Sequence, residues 1–61
     1  MKILIIEEKA DLRQLYQHDL QLDGYEVVTT GSAKSGLNLL EAASPDLVIV
    51  HVHTHDMHGA E

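Results

Sequence analysis

The end of the chain carries four histidines within eight residues, at positions 51, 53, 55 and 58. Neutral imidazole is the commonest protein ligand of transition metals, and it loses its proton near pH ~6.5. On an extended strand His51, His53 and His55 would point to one side, at steps of about 6.5–7 Å. In a helical turn His55 and His58 would be neighbours. The spacing therefore predicts a divalent transition-metal site, with zinc as the leading candidate and copper, nickel or cobalt as alternatives.

Two acidic residues at the end of the first apolar run, Glu7 and Glu8, could add to this site. They would supply oxygen ligands or accept a hydrogen bond from a ligand imidazole. Two other interpretations stay open: the histidine tract could be a tag or a solvated tail, and the two acids could be solvated strand-end residues. The fifth histidine, His18, is predicted to lie on the surface or in an interface, without a ligand role.

The apolar and turn residues predict the element order β-α-β-α-β. The continuous apolar run from Ile3 to Ile6 indicates a strand buried on both faces, as in a parallel sheet. Helices between strands imply parallel pairing with right-handed crossovers. We therefore expect one α/β domain over residues 1–61, with strands at 3–6, 26–30 and 47–52 and helices at 10–23 and 33–43.

The packing faces of the two helices follow from their apolar periodicity. Gly36, inside the second helix, indicates a close approach to a neighbouring element. Asp19 falls within the apolar arc of the first helix, so it is predicted either to be paired or to lie partly exposed at the rim of a thin core. The packing residues are predicted to be Leu12, Leu15, Tyr16 and Leu20 in the first helix and Ala33, Leu37 and Leu40 in the second.

Length and composition limit what this chain can do. It has 61 residues, no cysteine, phenylalanine or tryptophan, and two tyrosines, so its core must be small and aliphatic. Domains below ~70–80 residues usually need a metal, disulfides or self-association. The net charge of −6 offers no cationic surface for nucleic acid. No apolar stretch of ~20 residues and no signal peptide is present, so we expect a cytoplasmic protein without membrane contact.

Four stretches of the sequence carry a family resemblance: KILIIEE at 2–8, DLR at 11–13, GYEV at 24–27 and SPDLVIV at 44–50. They resemble the receiver domain of bacterial two-component response regulators, over residues 2–59 and about the first half of such a domain. The resemblance implies half of a flavodoxin-like sheet, with strand order 2-1-3. Glu7 and Glu8 would match the acidic pair that holds Mg²⁺. His53 would match the residue whose carbonyl completes the Mg²⁺ shell.

The same resemblance places His51 on the phosphate-accepting aspartate. Thr54, His55 and His58 also depart from the family pattern, and the later hydroxyl residue and lysine of the family have no counterpart in this chain. Aspartyl phosphorylation is therefore not expected. Half a receiver would also leave its third strand exposed at a sheet edge, which predicts a homodimer formed through that strand and the helix flanks.

The leading hypothesis is a receiver-derived, engineered homodimeric fragment that binds a metal and is not an enzyme. One alternative is a degenerate receiver that serves as a protein-interaction module in phosphorelay signalling. A second alternative is a weak metal-dependent hydrolase in which Glu8 acts as the base.

Overall fold

The computed structural model describes residues 1–51, and they form five elements in the predicted order. The helix boundaries agree with the sequence prediction to within one residue, the usual uncertainty at a fraying end. Position 52, the predicted end of the third strand, lies outside the described residues. The elements are β1 (Lys2–Glu7), α1 (Ala10–Leu22), β2 (Glu26–Thr30), α2 (Ala33–Ala43) and β3 (Leu47–His51).

The three strands form one parallel sheet with the order β2-β1-β3. β1 is central, and its residues from Ile3 to Glu7 are buried, as expected for a continuous apolar strand covered on both faces. The α/β class, the parallel pairing and the 2-1-3 order predicted from the sequence are confirmed.

One face of the sheet is covered by α1. Successive side chains of a strand point to opposite faces, and Ile3 and Ile5 of β1 form a buried cluster with Val27 of β2. Tyr16 and Leu20 of α1 pack against this cluster. The predicted packing role of Leu15 is wrong: its side chain is 51% exposed, because the helical rotation of about 100° per residue turns it away when Tyr16 faces the sheet.

The opposite face is covered by α2, which approaches the sheet through Gly36. This glycine is the buried residue of α2, and a Cβ atom at its position would collide with the side chain of Ile6. The predicted close approach is therefore confirmed. The predicted packing face of α2 is wrong for Ala33, which is exposed, and for Leu37 and Leu40, which are 64% and 39% exposed. At Gly36 the backbone of α2 lies so close to β1 that a residue with a side chain does not fit between them.

The start of β3 is fixed to the start of β1 by reciprocal hydrogen bonds. The Asp46 amide donates to the Lys2 carbonyl at 2.8 Å, and the Lys2 amide donates to Asp46 Oδ2 at 2.8 Å. This pairing sets the register that places Glu7 opposite His51 at the other end of the two strands. None of the helices within residues 1–51 is long and apolar enough to cross a membrane.

Candidate functional site at the carboxyl ends of β1 and β3

Glu7 is a fully buried carboxylate at the end of β1, with 0% exposure. Its Oε2 accepts a hydrogen bond from the Lys9 amide at 3.0 Å. Its Oε1 lies 2.5 Å from Nδ1 of His51. A buried charge is costly unless it is hydrogen-bonded, and these contacts provide donors to both oxygens. The interpretation of Glu7 as a solvated strand-end acid is therefore wrong.

His51 stands directly opposite Glu7 at the end of β3, and its side chain is 49% exposed. An ionised carboxylate can only accept hydrogen bonds. With Glu7 ionised, the Nδ1 atom of His51 carries the hydrogen and donates it to Glu7. In the neutral ring this leaves Nε2 as the nitrogen that carries a lone pair. The structure thus brings together Glu7 and His51, two of the predicted ligands, while the predicted role of Glu7 as acceptor from a metal-bound imidazole stays a prediction.

Arg13 holds the loop that follows Glu7. From the first turns of α1, its Nη1 donates to the Glu7 carbonyl oxygen at 2.8 Å. The Arg13 guanidinium also lies beside Gly31, and a Cβ atom added to Gly31 would collide with it. The side chain of Arg13 therefore contacts both the end of β1 and the turn between β2 and α2.

The burial of Glu7 and the role of Arg13 were not predicted from the sequence. One available signal was alternation, because Glu7 shares the face of the buried residues Ile3 and Ile5. No comparable signal existed for Arg13, whose contact depends on how α1 folds back over the strand end.

A groove of about 420 Å³ runs beside His51, between α1 and β3. Asp19 lines it and is exposed, which agrees with the second of its two predicted alternatives, exposure at the rim of a thin core. The groove is lined by Ile5, Tyr16, Asp19, Leu20, Ile49 and His51.

The residues of this site do not fit Mg²⁺, the ion that the resemblance implies. Mg²⁺ requires near-octahedral oxygen coordination and keeps several of its waters. Glu7 is fully buried, and both of its oxygens already accept hydrogen bonds. Position 51 carries an imidazole, which offers nitrogen rather than oxygen.

The predicted metal ligands are only partly brought together. Glu7 and His51 are in contact, while Glu8 is exposed at the beginning of the loop. Within the described range 1–51, no group of three or more acidic or histidine side chains could hold a metal ion. His18 is exposed on α1, as predicted. The other predicted ligands lie outside the described residues, so the cluster stays a prediction; they are His53, His55 and His58.

Comparison with known proteins identifies the family of this chain. The family model described as the response regulator receiver domain matches residues 3–61. The chain belongs to the response regulator receiver domain family. Receiver domains are signalling modules of two-component systems rather than enzymes, so the hydrolase alternative is not supported by the family.

Curated relatives share about a third of the aligned residues with this receiver chain. It is 30% identical over 98% of its length to the alkaline phosphatase synthesis transcriptional regulatory protein PhoP of Bacillus subtilis, and it covers 25% of that protein. It is 35% identical over 84% of its length to the probable transcriptional regulator ycf27 of Guillardia theta, covering 20%. An uncharacterised 14.6 kDa protein of Leptolyngbya boryana is 34% identical over the whole chain, which covers 47% of it. No solved structure gave a significant match.

Proposed function

We propose that this receiver chain acts in signalling by binding another protein, and that it does so without phosphorylation of an aspartate. The observation that supports the proposal is the hydrogen bond from His51 to the buried Glu7. It is formed at the place that the resemblance assigns to the acidic pair and the phosphate-accepting carboxylate.

The chemistry of the two side chains supports the same conclusion. Transfer of a phosphoryl group to a receiver aspartate forms an acyl phosphate, which an imidazole cannot form. Glu7 cannot replace the missing acceptor, because its carboxylate is fully buried and accepts hydrogen bonds at both oxygens. The scaffold that presents a binding surface is retained, while the acceptor is not.

Treatment with a small phosphodonor tests this proposal. The chain is incubated with acetyl phosphate and Mg²⁺, and its intact mass is then measured before and after hydroxylamine, which cleaves acyl phosphates. We expect no hydroxylamine-sensitive phosphoryl group on the wild-type chain. The matched comparison is His51→Asp, which places a carboxylate at the strand end. A hydroxylamine-sensitive phosphoryl group on the wild-type chain would refute the proposal.

A second candidate function is the binding of a divalent transition metal, zinc first, by the predicted histidine cluster. The arrangement of Glu7 and His51 favours it, because ligand histidines usually donate their other ring N–H to a carboxylate. In this proposal His51 coordinates through Nε2 and Glu7 orients the ring. Glu8 is a further oxygen donor, and the remaining ligands are His53, His55 and His58.

Calorimetric titration with zinc distinguishes this candidate from the first. The variant with alanine at positions 53, 55 and 58 keeps the His51–Glu7 hydrogen bond and should lose zinc binding. His18→Ala is the control and should bind like the wild type. Binding should weaken as the pH falls, because the ligands must lose protons to coordinate. An unchanged affinity of the triple variant, or no heat with the wild type, would contradict metal binding by this cluster.

A further inference from the structure

Arg13 fixes the end of β1 on the side where strand pairing has already ended. Towards β3, the register of β1 continues to Glu7, which lies opposite His51. Towards β2, the pairing ends one residue earlier, at Ile6 and Thr30. The carbonyl oxygen of Glu7 instead accepts a hydrogen bond from Nη1 of Arg13 at 2.8 Å. The Arg13 side chain therefore holds the backbone of Glu7 where β2 no longer does.

Gly31 leaves room for this guanidinium in the turn between β2 and α2. A Cβ atom added to Gly31 would lie 2.5 Å from Nη1 of Arg13 and 3.5 Å from its Cζ. Gly24 has a φ of 93°, in the left-handed region that favours glycine, whereas Gly31 does not lie in that region. The position of the Arg13 side chain, rather than the backbone conformation, therefore requires a glycine at position 31.

The carboxylate of Glu7 in turn sets the state of the His51 ring. It is fully buried, and its Oε1 lies 2.5 Å from Nδ1 of His51. The nitrogen that carries the hydrogen in a neutral histidine is set by the hydrogen bonds of the ring. Because the carbonyl held by Arg13 and the carboxylate belong to one residue, a displacement of the Glu7 backbone moves the acceptor away from Nδ1.

We propose that Arg13 is a positioning residue that couples the turn between β2 and α2 to the tautomer of His51. While Arg13 holds the Glu7 carbonyl, Nδ1 carries the hydrogen and Nε2 carries the lone pair. A change at Gly31 that displaces the guanidinium releases Glu7. Nδ1 then loses its hydrogen to solvent and Nε2 gains one, which is the form that imidazole favours in water. The turn therefore controls which ring nitrogen is the base or ligand, whether the chain binds a protein or a metal.

Long-range proton–nitrogen NMR spectra measure the two tautomers of His51 at a pH of about 9, where imidazole is neutral. The signals are assigned by their absence from His51→Ala. In the wild type we expect hydrogen mainly on Nδ1. Gly31→Ala and Arg13→Ala should each raise the ratio of the Nε2–H form to the Nδ1–H form by about two- to tenfold, the equivalent of one lost hydrogen bond.

The double variant separates coupling through Arg13 from a general disturbance of the turn. In the Arg13→Ala background, Gly31→Ala should not change the ratio further, because no guanidinium is left to displace. Gln14→Ala, at an exposed neighbouring position of α1, should keep the wild-type ratio, and the signals of the exposed His18 should be the same in every variant. A wild-type ring with hydrogen mainly on Nε2, an unchanged ratio in either single variant, or equal effects of Gly31→Ala with and without Arg13 would overturn the proposal.

Arg13→Lys provides a further measurement if Arg13→Ala does not fold. Lysine keeps a positive charge and a donor but lacks the planar guanidinium, so its ratio should stay closer to the wild type than that of Gly31→Ala. Gly31→Ala needs to displace only the far end of a flexible side chain, and we expect it to fold, as judged by circular dichroism. A larger change in Arg13→Lys than in Gly31→Ala would reject the role of this donor.

Discussion

At the scale of single residues, the contact between Glu7 and His51 accounts for the most unusual feature of this receiver chain, a fully buried carboxylate at a strand end. The burial of a charged group depends on its partners, and removal of one partner leaves the other poorly satisfied. The identity of residue 51 therefore matters for folding.

A double-mutant cycle on this pair tests that dependence. His51→Ala should lower the free energy of unfolding by about 1–3 kcal/mol, since the buried Glu7 loses a donor. The lower half of that range is expected, because His51 is half exposed and water can partly replace its ring. Glu7→Gln removes the charge, so it should reduce the penalty of His51→Ala.

Urea denaturation at one fixed protein concentration provides these free energies. His18→Ala is the control, since that exposed histidine should change stability by no more than about 0.5 kcal/mol. Strictly additive effects of His51→Ala and Glu7→Gln would show that the two side chains do not depend on each other.

At the scale of elements, the packing of α2 depends on the absence of a side chain at Gly36. Gly36→Ala adds about 1 kcal/mol of helix propensity, but its Cβ would collide with the side chain of Ile6. Overpacking of a tight contact typically costs about 1–3 kcal/mol, so we expect net destabilisation. Thermal unfolding followed by circular dichroism measures it.

Two further variants separate the collision from a general effect of alanine in α2. Ser35→Ala changes an exposed neighbour in the same helix and should leave stability nearly unchanged or slightly raised. Ile6→Val removes the Cδ1 atom that the new Cβ would meet first, so Gly36→Ala should cost less in that background. A stabilising Gly36→Ala in the wild-type background would show that α2 can move away from the sheet.

At the scale of the whole molecule, five apolar residues form the buried core of the described chain, and β1 supplies four of them. β2 and β3 both lie at edges, but only β3 is apolar on both faces and uncovered by a helix. Within residues 1–51, the side chains from Leu47 to Val50 therefore form an apolar surface that neither helix covers.

The sequence alone determined the class, the element order and the parallel sheet. These follow from local patterns: a continuous apolar run at Ile3–Ile6 and helical periodicity between strands. The close approach at Gly36 and the rim position of Asp19 were also predicted, because each residue conflicted with its surrounding pattern and required a structural reason.

Only the tertiary structure decided which acid is buried and which side chains the helices use. Glu7 and Glu8 both follow the apolar run of β1, and the parallel register places Glu7 opposite His51 at the buried end of the strand. Leu15 and Leu37 fit an apolar helix face, yet both are exposed. The sheet is instead contacted by Tyr16 and Leu20 of α1 and by Gly36 of α2. Apolar periodicity indicates which face of a helix turns toward the sheet. The distance between the helix and the sheet then decides which residue of that face is buried.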